Sequence, residues 1–176
     1  MKEVFLKYRK WIVLIVVVLI LGKLFFGGSK GYTTEEFEKE VQDASEGKIV
    51  LTNSKIERLK ESEDDLYFTE WNGNKVMLSL EDDKVKLPCL ITTPPAGLMD
   101  EIAIGQYHEF IQVLSSVLDE DLSLEDSDKL ISNDLNFNHQ IMNGTEHTTT
   151  NNEIKYTLGG GGKETTWYSL MIEREK

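Results

Sequence analysis

Three histidines, one cysteine and thirty-one carboxylates are the side chains with which this 176-residue chain would do acid–base, nucleophilic or metal chemistry. Their spacing decides how much of that chemistry is open. His108, His139 and His147 form neither H-x-x-x-H nor H-E-x-x-H, the helical spacings that bring two imidazoles to one metal. Cys89 lies among Val85, Leu87 and Ile91, where a thiol reads as a small buried hydrophobe rather than a nucleophile. Ser115-Ser116 lacks the G-x-S-x-G elbow that exposes a catalytic serine. The glycine run 159–162 ends in Lys163, but Thr157 stands where a phosphate loop needs its first glycine and Glu164 follows the lysine. Asp119, Asp121, Ser123 and Glu125 alternate as calcium-loop ligands do. Leu124 replaces the turn glycine and Leu130 the bidentate glutamate, which leaves at most a weak cation site at Asp119–Glu125. Asn143-Gly144-Thr145 is formally a glycosylation sequon, and a tight turn explains it equally well. These residues predict a non-enzymatic chain with no cofactor and no metal centre. The rival expectation is a small envelope hydrolase or metal-dependent enzyme using His108, His139, His147 and nearby acids. A structural spacer is a third.

What positions any such site is, first, the stretch Trp11 to Phe26. Ile12, Leu14, Val17 and Leu21 belong to an unbroken aliphatic run, flanked by Trp11 and by Phe25-Phe26 and interrupted only by Lys23, whose amine can snorkel to the interface. Counted from Tyr8, the segment just spans a hydrocarbon core of about 30 Å. Lys2, Lys7, Arg9 and Lys10 precede it and predict a cytoplasmic N-terminus. The alternative is a cleaved signal peptide and a secreted product, although no A-x-A site follows the run. The expected organisation is a basic cytoplasmic stub (1–10), a single-pass transmembrane anchor (11–27), a linker (28–31) and an acidic extracytoplasmic domain (32–176).

Charge divides along the same line. The chain carries −12 overall. Residues 1–30 hold six Lys/Arg and one acid, which leaves thirteen basic against thirty acidic residues in the remainder, a net −17. That balance argues against nucleic acid, whose phosphates need cations. A single cysteine allows no internal disulfide, a pattern that leans towards a bacterial cell envelope.

Within the domain, Thr33 to Glu36 reads as a capping box opening a helix with Phe37, Val41 and Ala44 on one side, ended by Gly47. A strand follows from Ile49; residues 54–60 continue it as a bent strand with Ile56 inward, or else form a short helical turn. Asn72-Gly73 predicts a type I′ hairpin that pairs Trp71 with Asn74, Glu70 with Lys75, Thr69 with Val76 and Tyr67 with Leu78. A turn at Asp82-Asp83 pairs Leu80 with Val85, Leu78 with Leu87 and Val76 with Cys89. Pro88 has no N–H, so its strand lies at an edge or turns that position outward. A long helix spans Leu98 to Leu118, and Ser123 to Asp126 caps a shorter one. Asn143-Gly144 predicts a second hairpin between 137–142 and 145–150, with His139 opposite Thr148. Asn151-Asn152 turns into 153–158, and Thr165 to Glu173 is the last strand, with Tyr168, Leu170 and Ile172 inward.

The expected fold is α+β: helix-plus-antiparallel-meander halves in the order α-β3/4-α-α-β3/4, with the helices on one face of the sheet. Segments 32–93 and 98–173 share that layout, as a structural duplication would. The other sheet face is left free, and Trp167 and Met171 are the candidate binding residues on it. The function this predicts is a protein-binding module of the cell envelope, of immunity, exclusion or accessory-subunit type. Its partner would be another envelope protein or an incoming one.

Overall fold

The computed structural model describes residues 31–58, 65–93, 101–160 and 167–175. The expected anchor and the loop carrying Lys163 lie outside the described residues. Among the described residues no helix is long and apolar enough to cross a membrane.

Helix α1 (Thr34–Ala44) begins at the expected capping box: Thr33 Oγ1 accepts from the Glu36 N–H, and the Glu36 carboxylate accepts from the Thr33 N–H. Phe37 and Val41 are buried along one side. Gly47, at φ +81°, turns the chain towards Ile49 and Leu51, both buried, and into strand β1 (Thr52–Glu57). Ile56 lies on the inward face as its spacing predicts, opposite the core residue Tyr67, yet it is 47 % exposed. Strand β1 is at the edge of the sheet, so its inward side chains have a neighbouring strand on one side only. Asn53 adopts φ +55°, and the register is irregular between Thr52 and Lys55.

Strands β2 (Asp65–Trp71), β3 (Asn74–Glu81) and β4 (Lys84–Thr92) form a meander. Asn72 and Gly73 take φ +48° and +80°, and all four predicted β2–β3 pairs are present. In the next hairpin Leu80 faces Val85 as expected, but Leu78 faces Cys89 rather than Leu87, and Val76 faces Ile91 rather than Cys89. The irregularity lies at Leu87-Pro88, because a proline has no N–H to give to the ladder. Since two residues are skipped, inward and outward faces are preserved. Strand β4 is internal to the sheet, with Pro88 exposed.

Helix α2 (Glu101–Leu118) buries Tyr107, Phe110, Ile111, Leu114 and Val117. Each such side chain removed from water is worth roughly 1.5–3 kcal/mol, so this helix is held mainly by what it covers. Helix α3 (Leu124–Lys129) starts at Ser123, whose Oγ accepts from the Asp126 N–H at 3.1 Å, and runs into a π-turn over Leu130–Asp134. Residues 137–142 are not a strand: helix α4 spans Phe137–Asn143. Gly144, at φ +68°, closes that helix instead of turning a hairpin. Phe137 and Gln140, buried one helical turn apart, supply the inward side. His139 is therefore helical and does not face Thr148.

Strands β5 (His147–Asn151), β6 (Ile154–Gly160) and β7 (Tyr168–Arg174) complete a seven-stranded antiparallel sheet in the order β1-β2-β3-β4-β7-β6-β5. The β5–β6 turn is Asn152-Glu153, one residue later than predicted, with Asn151 facing Ile154. The two meanders join where β4 runs against β7, pairing Ile91 with Leu170 and Cys89 with Ile172. The helices cover one face. There Phe37 meets Tyr67 edge-on at 6.3 Å between ring centres, and Phe110 meets Trp71 at 5.3 Å. Tyr67, Val76, Leu78, Ile91, Tyr156 and Leu170 form the strand side of that core.

Candidate functional site

The free face of the sheet carries one continuous row. The pairings run Lys55–Phe68–Met77–Leu90–Met171–Thr157–Thr148 across all seven strands. Each of these positions is the outward member of an alternation whose inward members, Tyr67, Val76, Leu78, Ile91, Leu170 and Ile172, are core. Phe68, Met77, Leu90 and Met171 are all half-buried, with no helix among the described residues over them to complete the burial. At about 4.8 Å between strands, they make an apolar stripe roughly 14 Å long. Lys55 closes one end, its Nζ 4.9 Å from the centre of the Phe68 ring. Thr157 and Thr148 close the other, their hydroxyls 3.2 Å apart.

A polar row borders the stripe on one side, with Glu70, Lys75, Thr92 and Ser169 in register. The other border is mixed: Leu66 extends the apolar surface beside Ser79 and Lys86, and further along lies the ion pair of Lys155 with Glu173 at 2.8 Å. Two methionines and a leucine give the centre an adaptable, apolar character, and the rim supplies both signs of charge. Trp167 precedes β7 and shares the parity of Ser169 and Met171 along the chain; it is 44 % exposed. Alternation along the last strand points to Trp167 and Met171 in the sequence alone. Phe68, Met77 and Leu90 join them only in the fold, because the β4–β7 junction that aligns Leu90 with Met171 brings together residues far apart in the chain.

The histidines separate. His108 is on α2, His139 on α4 and His147 opens β5. His108 acquires two neighbours that sequence spacing did not suggest: its Nε2 lies 3.0 Å from Ser132 Oγ and 3.7 Å from Asp128 Oδ1. Serine, histidine and aspartate together invite a triad reading, and the geometry refuses it. In a triad the carboxylate holds one ring nitrogen while the serine uses the other. Here both contacts converge on Nε2, so the carboxylate cannot orient the base towards the hydroxyl. The ring meets Phe137 edge-on at 4.8 Å. Burial holds the His108 pKa below its ordinary value, and Asp128 pulls weakly the other way.

Cys89 is fully buried, and that burial pushes its thiol pKa far up, away from thiolate chemistry. Ser115 Oγ is buried without a hydrogen-bond partner among the described residues, and Ser116 donates to the Val113 carbonyl at 2.9 Å; neither meets a base. Asp119, the first residue of the calcium-like spacing, is 2 % exposed. Its Oδ2 accepts from Tyr156 Oη at 2.8 Å and Asn151 Nδ2 at 3.1 Å, and its Oδ1 from the Asp121 N–H at 3.1 Å. The carboxylate thus ties the end of α2 to the β5–β6 hairpin, with its oxygens already engaged. Burial, then Asp119, keeps the Tyr156 pKa high and the phenol a donor. A second network joins α1 to the first strands, with Tyr67 Oη and Ser54 Oγ both donating to Glu38. Among the described residues no three His, Cys, Asp or Glu side chains group as metal ligands.

No family model, no curated protein and no solved structure matches this chain.

Proposed function

We propose that this chain is a non-catalytic binding module of the cell envelope. It is tethered by residues 11–27 with its N-terminus in the cytoplasm, and it docks another envelope protein, or an incoming one, on the open face of its sheet. The observation that carries the reading is the stripe Phe68–Met77–Leu90–Met171, apolar, covered by none of the described elements and rimmed by mixed charge. Surfaces with an apolar centre and polar border are where partners dock, and their energy concentrates in a few central side chains. The tether rests on the aliphatic run Ile12–Leu21 and on Lys2, Lys7, Arg9 and Lys10 before it. The repeated order of helix then meander fits an origin by structural duplication of 32–93 and 98–173.

The test is capture of envelope proteins by the full chain, beside a Met77→Glu/Met171→Glu variant and a helix-side Lys39→Glu control. Loss of the bound protein in the first variant alone supports the reading. A bound set unchanged by the double substitution overturns it. The convergence of Ser132 and Asp128 on one nitrogen of His108 gives the enzymatic alternative no comparable support.

A further inference from the structure

The two edges of the sheet are built differently. At one end β1 carries Lys55 and Glu57 and an irregularity beside Asn53, devices that blunt an edge against pairing. At the other end β5 reads His-Thr-Thr-Thr-Asn, with no proline, no lysine and no register break. Its outer edge pairs with no strand among the described residues. Threonine favours extended backbone, so the strand is well made for a neighbour it does not have among the described residues.

Which backbone groups point outward follows from the hairpin. Asn152 and Glu153 form a two-residue turn with φ +46° and +67°, so the closing pair Asn151–Ile154 exchanges both backbone bonds. Alternation then turns Thr149 and His147 towards β6 and leaves the N–H and C=O of Thr148 and Thr150 on the free edge.

We propose that this edge pairs with β5 of a second copy, antiparallel and centred on Thr149. In that register Thr148 and Thr150 exchange backbone bonds with the opposite copy's Thr150 and Thr148, and Thr149 faces itself. His147 falls opposite Asn151. Glu146 meets Asn152 and Glu153 meets Thr145, so no carboxylate faces another. Threonine pairs of this kind favour neighbouring strands. The charge of the domain selects the same arrangement. Stacking two open faces would bring two bodies of net −17 within about 10 Å. Joining edges puts the centres of the two sheets roughly 34 Å apart, several times the ~8 Å screening length at physiological salt. The two-fold axis is normal to the sheet, so both copies present their open faces on the same side. This inference is independent of what those faces bind.

Directed disulfide formation in the full chain in detergent tests the register. Two self-facing residues of a non-hydrogen-bonded pair have Cα atoms about 4.5 Å apart, within reach of a disulfide. Native Cys89 is fully buried and does not compete. Under mild oxidation Thr149→Cys is expected to give mostly covalent dimer, at least five times the yield of Thr148→Cys or of Lys55→Cys on the other edge. Without any cysteine added, Thr148→Lys/Thr150→Lys is expected to weaken self-association at least tenfold in sedimentation. Equal cross-linking at all three positions, no dimer from Thr149→Cys, or a dimer indifferent to the paired lysines would each overturn the proposal.

Discussion

Asp119 is the residue on which the second half of the domain depends most visibly. It is a buried carboxylate at the C-terminal end of a helix, where the dipole disfavours it, and neutral donors alone hold it. Asp119→Ala leaves Tyr156 Oη and Asn151 Nδ2 without their acceptor and is expected to cost roughly 2–3 kcal/mol in urea denaturation, with Asp119→Asn costing less. His108 makes a prediction with a definite sign. Its folded pKa lies below 6.5, so between that value and the lower folded one the unfolded chain binds more protons. Stability contributed by neutral His108 is present above about pH 6.5 and is lost as pH falls through that window. Replacement by glutamine is expected to flatten the fall, read as denaturation midpoints from pH 7.5 to about 5. None of these roles is legible from residue type. Asp119 imitates a calcium ligand in the sequence because its spacing is visible there, while Tyr156, thirty-seven residues away, is not.

Individual elements were legible where one local interaction decides them. The capping box at Thr33 and Glu36 is such a case: Thr33→Ala is expected to cost about 1 kcal/mol and to loosen the first turn of α1 in hydrogen exchange. Asn72-Gly73 is another, because a two-residue turn sets the register of every pair behind it. The same dipeptide misleads at Asn143-Gly144, since a left-handed glycine closes a helix as readily as it turns a hairpin. What decides there is Phe137 and Gln140 packing inward, a tertiary fact. The skipped pair at Leu87-Pro88 belongs to a third kind. The proline announces a disturbance, but how many residues it displaces depends on how β4 must align with β7.

At the scale of the molecule, the sheet is a two-sided device. One side is closed by α1, α2 and the shorter helices, with an aromatic and aliphatic core. The other is an array of side chains whose apolar centre is made by four strands drawn from both halves of the chain. The order of strands that brings β7 beside β4 creates this stripe, which is a property of the topology and not of any motif. On the proposed reading, the open face is the part of the molecule that a partner touches. The most direct measurement places a photoreactive residue at Met77, and in a separate variant at Lys39 on α1, in the full chain within intact cells. A discrete protein adduct from position 77, absent from position 39, is the predicted result. Adducts of equal yield from both, or none from position 77, would contradict the assignment of the open face as the binding surface.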